Sequence, residues 1–153
     1  GLSPFDTVMT LAERKANKIA SKNDLSYVIA ADTLVYLSEE LLGKPRDEKA
    51  AFDMLSKLSG KCHSVYTGVC VVSPNGKKVV TYEKTDVIFD DLSENDIINY
   101  INSKEPFDKA GAYAIQGLAS AFIKRIDGNF DNVVGFPTCL IRNILKELNF
   151  KLR

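Results

Sequence analysis

Asp32 is the first residue of this sequence that a purely structural reading leaves unexplained. It interrupts Tyr27–Leu37 (YVIAADTLVYL), a run that is otherwise almost continuously apolar apart from the adjacent Thr33. An ionised carboxylate inside a core is costly unless it is paired, hydrogen-bonded or bound to a metal, so Asp32 either caps a turn at a strand end or serves chemistry. Lys15 lies four residues after Leu11 and four before Ile19, which places a cation on the core-facing row of a helix. It either snorkels to the edge of that row or faces a polar cleft. Lys44 stands between Gly43 and Pro45. A proline pushes its predecessor into extended backbone, so this stiff turn can present an ammonium to an anion; a solvated loop lysine is the plainer alternative. Asp108-Lys109, followed by Ala110-Gly111-Ala112-Tyr113, offers a charge pair and backbone amides able to cradle a phosphate.

Other site chemistries are excluded. Neither the GxGxxG fingerprint nor the Walker A pattern is present. His63 is the single histidine and no G-x-S-x-G elbow accompanies it, so His63 reads as structural. Cys62 and His63 are adjacent in a strand and would point to opposite faces, which defeats a zinc site. Three cysteines at spacings outside the metal and redox motifs fit a reducing, cytoplasmic setting. Twenty basic and twenty acidic side chains give a formal net charge of zero. The chain therefore has no overall pull on nucleic acid or an anionic membrane, and any anion must be held by a local cluster. The longest apolar stretches fall far short of the ~20 residues of a membrane span, and the expectation is a soluble intracellular protein.

The elements that must position these residues follow from punctuation and period. Ser3-Pro4 opens a helix of about five turns carrying Val8, Leu11, Ala12, Lys15, Ala16 and Ile19. A strand over Tyr27–Leu37 follows, then a turn at Gly43-Lys44-Pro45 and a helix capped by Asp47 and ended by Gly60. Ser73-Pro74-Asn75-Gly76 joins two strands, about His63–Val72 and Lys78–Phe89, into a hairpin. Ser93 caps a further helix; Glu105–Gly117, rich in Gly and Ala, reads as a loop. A short strand over Ala121–Ile126 and a last helix from about Pro137 complete an α/β chain with a mixed sheet. No repeat or linker divides it, so residues 1–153 read as one domain.

Taken together, the segments resemble the Maf family of nucleotide pyrophosphatases. The resemblance runs through Leu11-Ala12 with Lys15-Ala16, Ala31-Asp32-Thr33, Gly43-Lys44-Pro45, and Met54-Leu55 with Leu58-Ser59-Gly60. It continues through His63-x-Val65-x-Thr67-Gly68-Val69, Asp108-Lys109-Ala110-Gly111-Ala112-Tyr113 with Ile115-Gln116-Gly117, and Asn132-Val133-Val134-Gly135-Phe136-Pro137. It implies an elongated mixed sheet flanked by helices, with two lobes and a central cleft. It also implies hydrolysis of a nucleoside triphosphate to the monophosphate and pyrophosphate with a divalent cation, Mg²⁺ or Mn²⁺. By resemblance Asp32 is the acid/base or metal-linked carboxylate, Lys15 and Lys44 clamp phosphates, and Thr33, Lys109 and Gln116 contact substrate. The chemistry is coherent, since attack of water on phosphorus needs orientation, a proton acceptor and neutralisation of spreading charge. Ile115-Gln116-Gly117 is similar to the branch that prefers dTTP, UTP and modified pyrimidine nucleotides, and a homodimer is a further implication.

The family pattern also begins with a strand bearing Ser-x-Ser-Pro-Arg-Arg, followed by an acidic pair. Here Phe5-Asp6 follows Ser3-Pro4, so the expectation is an N-terminally incomplete domain. A nucleotide-binding regulatory module with little turnover is the alternative reading on that ground.

Overall fold

The computed structural model describes residues 3–22 and 25–150. Helix α1 (Pro4–Ala20) starts where Ser3 accepts a bond from the Asp6 amide at 3.1 Å, with Pro4 in the first helical turn. Strands β1 (Val28–Leu37) and β2 (Glu40–Leu42) precede α2 (Glu48–Leu58), which Asp47 caps through the Ala50 amide. The hairpin of β3 (Cys62–Val72) and β4 (Lys78–Phe89) closes through the predicted turn, with the Gly76 amide on the Ser73 carbonyl and Gly76 at φ 80°. A complete capping box between Ser93 and Asp96 opens α3 (Glu94–Asn102). Two 3₁₀ turns (Ala110–Ala112 and Leu118–Phe122), β5 (Ile123–Asp127), the short α4 (Phe130–Val134) and α5 (Thr138–Glu147) follow.

The sheet order is β2-β1-β3-β4-β5. Every pairing is antiparallel, so the mixed sheet expected from the sequence is an antiparallel one among the described residues. Asp32 lies in the middle of β1 opposite Gly68, which removes the turn-capping alternative. Its strand pairs with β2 only from Val35 to Leu37, so among the described residues the outer edge of β1 before Val35 carries no partner strand.

The two lobes are separate cores at the two ends of the long strands. One gathers Val35, Val65, Val87 and Phe89 beneath Leu55, Leu58, Ile97 and Ile101 of α2 and α3. At the other end Val69 and Val71 meet Ile141 and Ile144 of α5, while Val28 and Cys70 meet Ala12 and Ala16 of α1 on the opposite face. Between them the strands turn polar, with Asp32, Thr33 and Thr67 side by side. Helix α1 reaches the sheet only because residue 68 is glycine: a Cβ there would stand 2.2 Å from the Val8 carbonyl oxygen.

Candidate active site

The polar waist opens into a cleft of about 290 Å³. Its walls are apolar, with Val35, Val65, Tyr113, Ile115 and Val133 among them, and Thr33, Lys44, Asp108, Lys109 and Gln116 supply its polar groups. Thr33, Lys44, Lys109 and Gln116 thus share one cavity although up to 83 positions separate them. Lys44 and Asp108 approach only to 4.0 Å, with side chains 65% and 93% exposed. A pair so open to water is worth little, and it leaves the Lys44 ammonium available to an anion.

Lys15 and Asp32 are brought together elsewhere. Asp32 is largely buried and forms an ion pair with the half-exposed Lys15, whose ammonium also reaches the Ala31 carbonyl at 3.4 Å. Lys15 therefore carries its charge to a polar partner beside the sheet. Neither residue lines the cavity that holds Thr33. Strand alternation explains the division, since consecutive side chains of β1 leave opposite faces of the sheet.

Thr33 is held by a buried polar chain that the sequence did not reveal. The Thr67 hydroxyl donates to the Asn132 carbonyl at 3.0 Å and lies 2.8 Å from the Thr33 hydroxyl. With the Thr67 proton spent on that carbonyl, Thr33 must be the donor between the two hydroxyls. Asn132, fully buried, donates to the Val65 carbonyl and to Thr85 at 3.1 and 3.0 Å. These bonds seat α4 on the sheet and so set the cleft wall at Val133 and Val134. A buried asparagine in a five-residue helix leaves no periodic signature, which is why only the family resemblance marked this segment.

The strap from Glu105 to Ala119 forms the opposite wall. Asp108 and Ala112 hold φ of 65° and 61°, the left-handed region that costs a non-glycine residue about 1 kcal/mol or more. Three of the amides able to cradle a phosphate are already engaged: those of Lys109, Gly111 and Ala112 bond to the carbonyls of Pro106, Gly43 and Lys109. The Gly111–Gly43 bond instead stitches the lysine-bearing turn of residue 44 to that of residue 109. Tyr113 packs edge-on against Phe89 and His63, and its hydroxyl lies 2.8 Å from His63 Nε2. Burial depresses the His63 pKa to about 4 despite the opposing pull of Asp86, so the imidazole is neutral near pH 7. His63 is the structural residue anticipated, and no group of three or more potential metal ligands exists among the described residues.

The chain is an α/β protein whose two lobes meet at a cleft with an apolar interior and lysines at its mouth. A family model described as Maf-like protein matches residues 2–148, and the chain belongs to that family. Its relatives include a "dTTP/UTP pyrophosphatase" of Caldicellulosiruptor bescii, 50% identical over 99% of this chain and 78% of its own length. Proteins of the same name from Aquifex aeolicus and a Geobacillus species are 48% and 52% identical, over 95% and 88% of this chain and 76% and 72% of theirs. A nucleoside-triphosphatase/dITP/XTP pyrophosphatase structure from Mycobacterium abscessus aligns over 58% of this chain and 50% of its own, at 17% identity and a TM-score of 0.37, a likeness too slight to carry weight.

Proposed function

We infer that the protein is a nucleoside triphosphate pyrophosphatase that converts dTTP, UTP or related pyrimidine nucleotides to the monophosphate and pyrophosphate. The observation that carries this reading is the cleft itself, apolar within and bordered by Lys44 and Lys109, in a chain half identical to a dTTP/UTP pyrophosphatase. The nucleoside fits the apolar part, with Gln116 and Thr33 as its polar contacts. Lys44 and Lys109 at the mouth meet the triphosphate, and Lys15 and Asp32, paired on the other face of β1, are the further charged groups that this reading assigns to it.

On this reading Lys15 gives up its bond to Asp32 for a phosphate oxygen, and the freed carboxylate accepts a proton from the attacking water. Lys44 stabilises charge that grows on the phosphoryl oxygens. The donor set fits a divalent cation that arrives on the substrate, because such an ion needs only one or two protein carboxylates beside the phosphates. Asp32 would hold it, and it would supply neutralisation of phosphate charge.

Pyrophosphate release from dTTP, UTP and CTP in Mg²⁺ or Mn²⁺ tests the reading. Release from the pyrimidine triphosphates that Asp32→Asn abolishes supports it; release no greater than that of the variant rejects it.

A further inference from the structure

Gln116 sits on an exposed piece of backbone, yet both flanks of that piece are tied to a single pair of side chains. Tyr100, on α3 and 3% exposed, accepts the Ala114 amide on its hydroxyl oxygen at 3.1 Å. The same hydroxyl gives its proton to Glu105 Oε1 at 2.8 Å. Glu105 Oε2 then accepts the Leu118 amide at 3.0 Å, and Oε1 is 3.5 Å from the Ala119 amide. Burial works against the charge on Glu105, but the Leu118 amide and Tyr100 hydroxyl outweigh it and hold its pKa below the usual carboxylate range. Residue 117 must be glycine for this to happen, since a Cβ there would lie 2.2 to 2.3 Å from the Glu105 carboxylate.

We propose that Tyr100 and Glu105 are positioning residues for substrate recognition, a clamp that fixes residues 114–118 so that Gln116 presents its amide to the cleft at a set place. The proposal rests on the reading of the cleft as a nucleotide site. Both carboxylate oxygens face donors, so a glutamine at 105 must turn its NH₂ toward either the Tyr100 hydroxyl or the Leu118 amide. The near-isosteric change Glu105→Gln therefore costs the clamp at least one of its charge-assisted bonds and leaves the fold's cores untouched.

Two measurements on the full chain decide it. Amide hydrogen exchange of Glu105→Gln should quicken within residues 114–119 by about tenfold or more, while the amides of β3 keep their protection. In pyrophosphate-release kinetics the same change should raise KM for UTP by about tenfold with kcat within about threefold. In a Gln116→Ala background it should alter KM by less than about twofold, because the residue it positions is gone. Unchanged exchange at residues 114–119, or an equal rise in KM in both backgrounds, overturns the proposal. Should Glu105→Gln fail to fold, Tyr100→Phe keeps the packed ring and should quicken the Ala114 amide with the same dependence on Gln116. If the wild-type chain releases no pyrophosphate, the catalytic reading falls, and the exchange result still decides the clamp.

Discussion

Between pH 7 and pH 4 the protein should lose about 3 kcal/mol of folding free energy through His63 alone. The imidazole is 2% exposed and is packed between Phe89 and Tyr113. Its Nδ1 has no hydrogen-bond partner among the described residues, and the countercharge of Asp86 does not offset the burial. The unfolded chain takes up a proton near pH 6.5, whereas the folded chain resists until about 4. Stability is thus fully present above pH 6.5, drains as the pH falls to about 4, and loses nothing more through this group below that. A gap of about 2.5 in pKa at ~1.36 kcal/mol for each pH unit gives the stated figure. The assay is the urea midpoint as a function of pH, for the wild type and for His63→Phe combined with Tyr113→Phe, which leaves no orphaned hydroxyl. The acid-dependent loss of the wild type should exceed that of the double variant by about 3 kcal/mol, with the difference arising between pH 6.5 and 4. Parallel profiles would refute the argument.

Gly68→Ala should cost about 3 kcal/mol in chemical denaturation, because its methyl meets the Val8 backbone and not a yielding side chain. Asn132→Ala should cost about as much, since it removes two buried bonds, to the Val65 carbonyl and to the Thr85 hydroxyl, and leaves a void where a fully buried side chain stood. Lys15→Met should cut pyrophosphate release at least tenfold and, because it leaves the largely buried Asp32 without its countercharge, should also lower stability in chemical denaturation by about 1 kcal/mol or more. Lys44→Ala and Lys109→Ala should each raise KM for UTP, and the rise should shrink in high salt, where exposed charges are screened.

The elements with strong local signals were legible in the sequence. Ser3, Asp47 and Ser93 cap the helices they were expected to cap, and Ser73–Gly76 makes the expected turn. Short elements were not: β2 has three residues and α4 five, too few for a period to show, and the strap from Glu105 to Gly117 hides a 3₁₀ turn stabilised by distant partners. Of the candidate residues, Lys15 and Asp32 betrayed themselves by standing where an apolar residue belongs. Lys44, Lys109 and Gln116 are exposed side chains on turns, and nothing in their spacing says that one cleft gathers them. Glu105 and Tyr100 were invisible for another reason. Their work is done on backbone amides, which every residue has.

On the proposed reading, the division of β1 between two faces makes strand register matter to the site. Asp32 and Thr33 are neighbours, and the pairing Asp32–Gly68 and Thr33–Thr67 decides which of them meets α1 and which meets the cleft. A slip of a single residue would turn the carboxylate into the apolar cavity and the threonine toward Lys15. Gly68 guards against it, because only one position of β3 can lie beneath the Val8 carbonyl. A residue with no side chain thus keeps the Asp32 carboxylate and the Thr33 hydroxyl on their own sides of one strand.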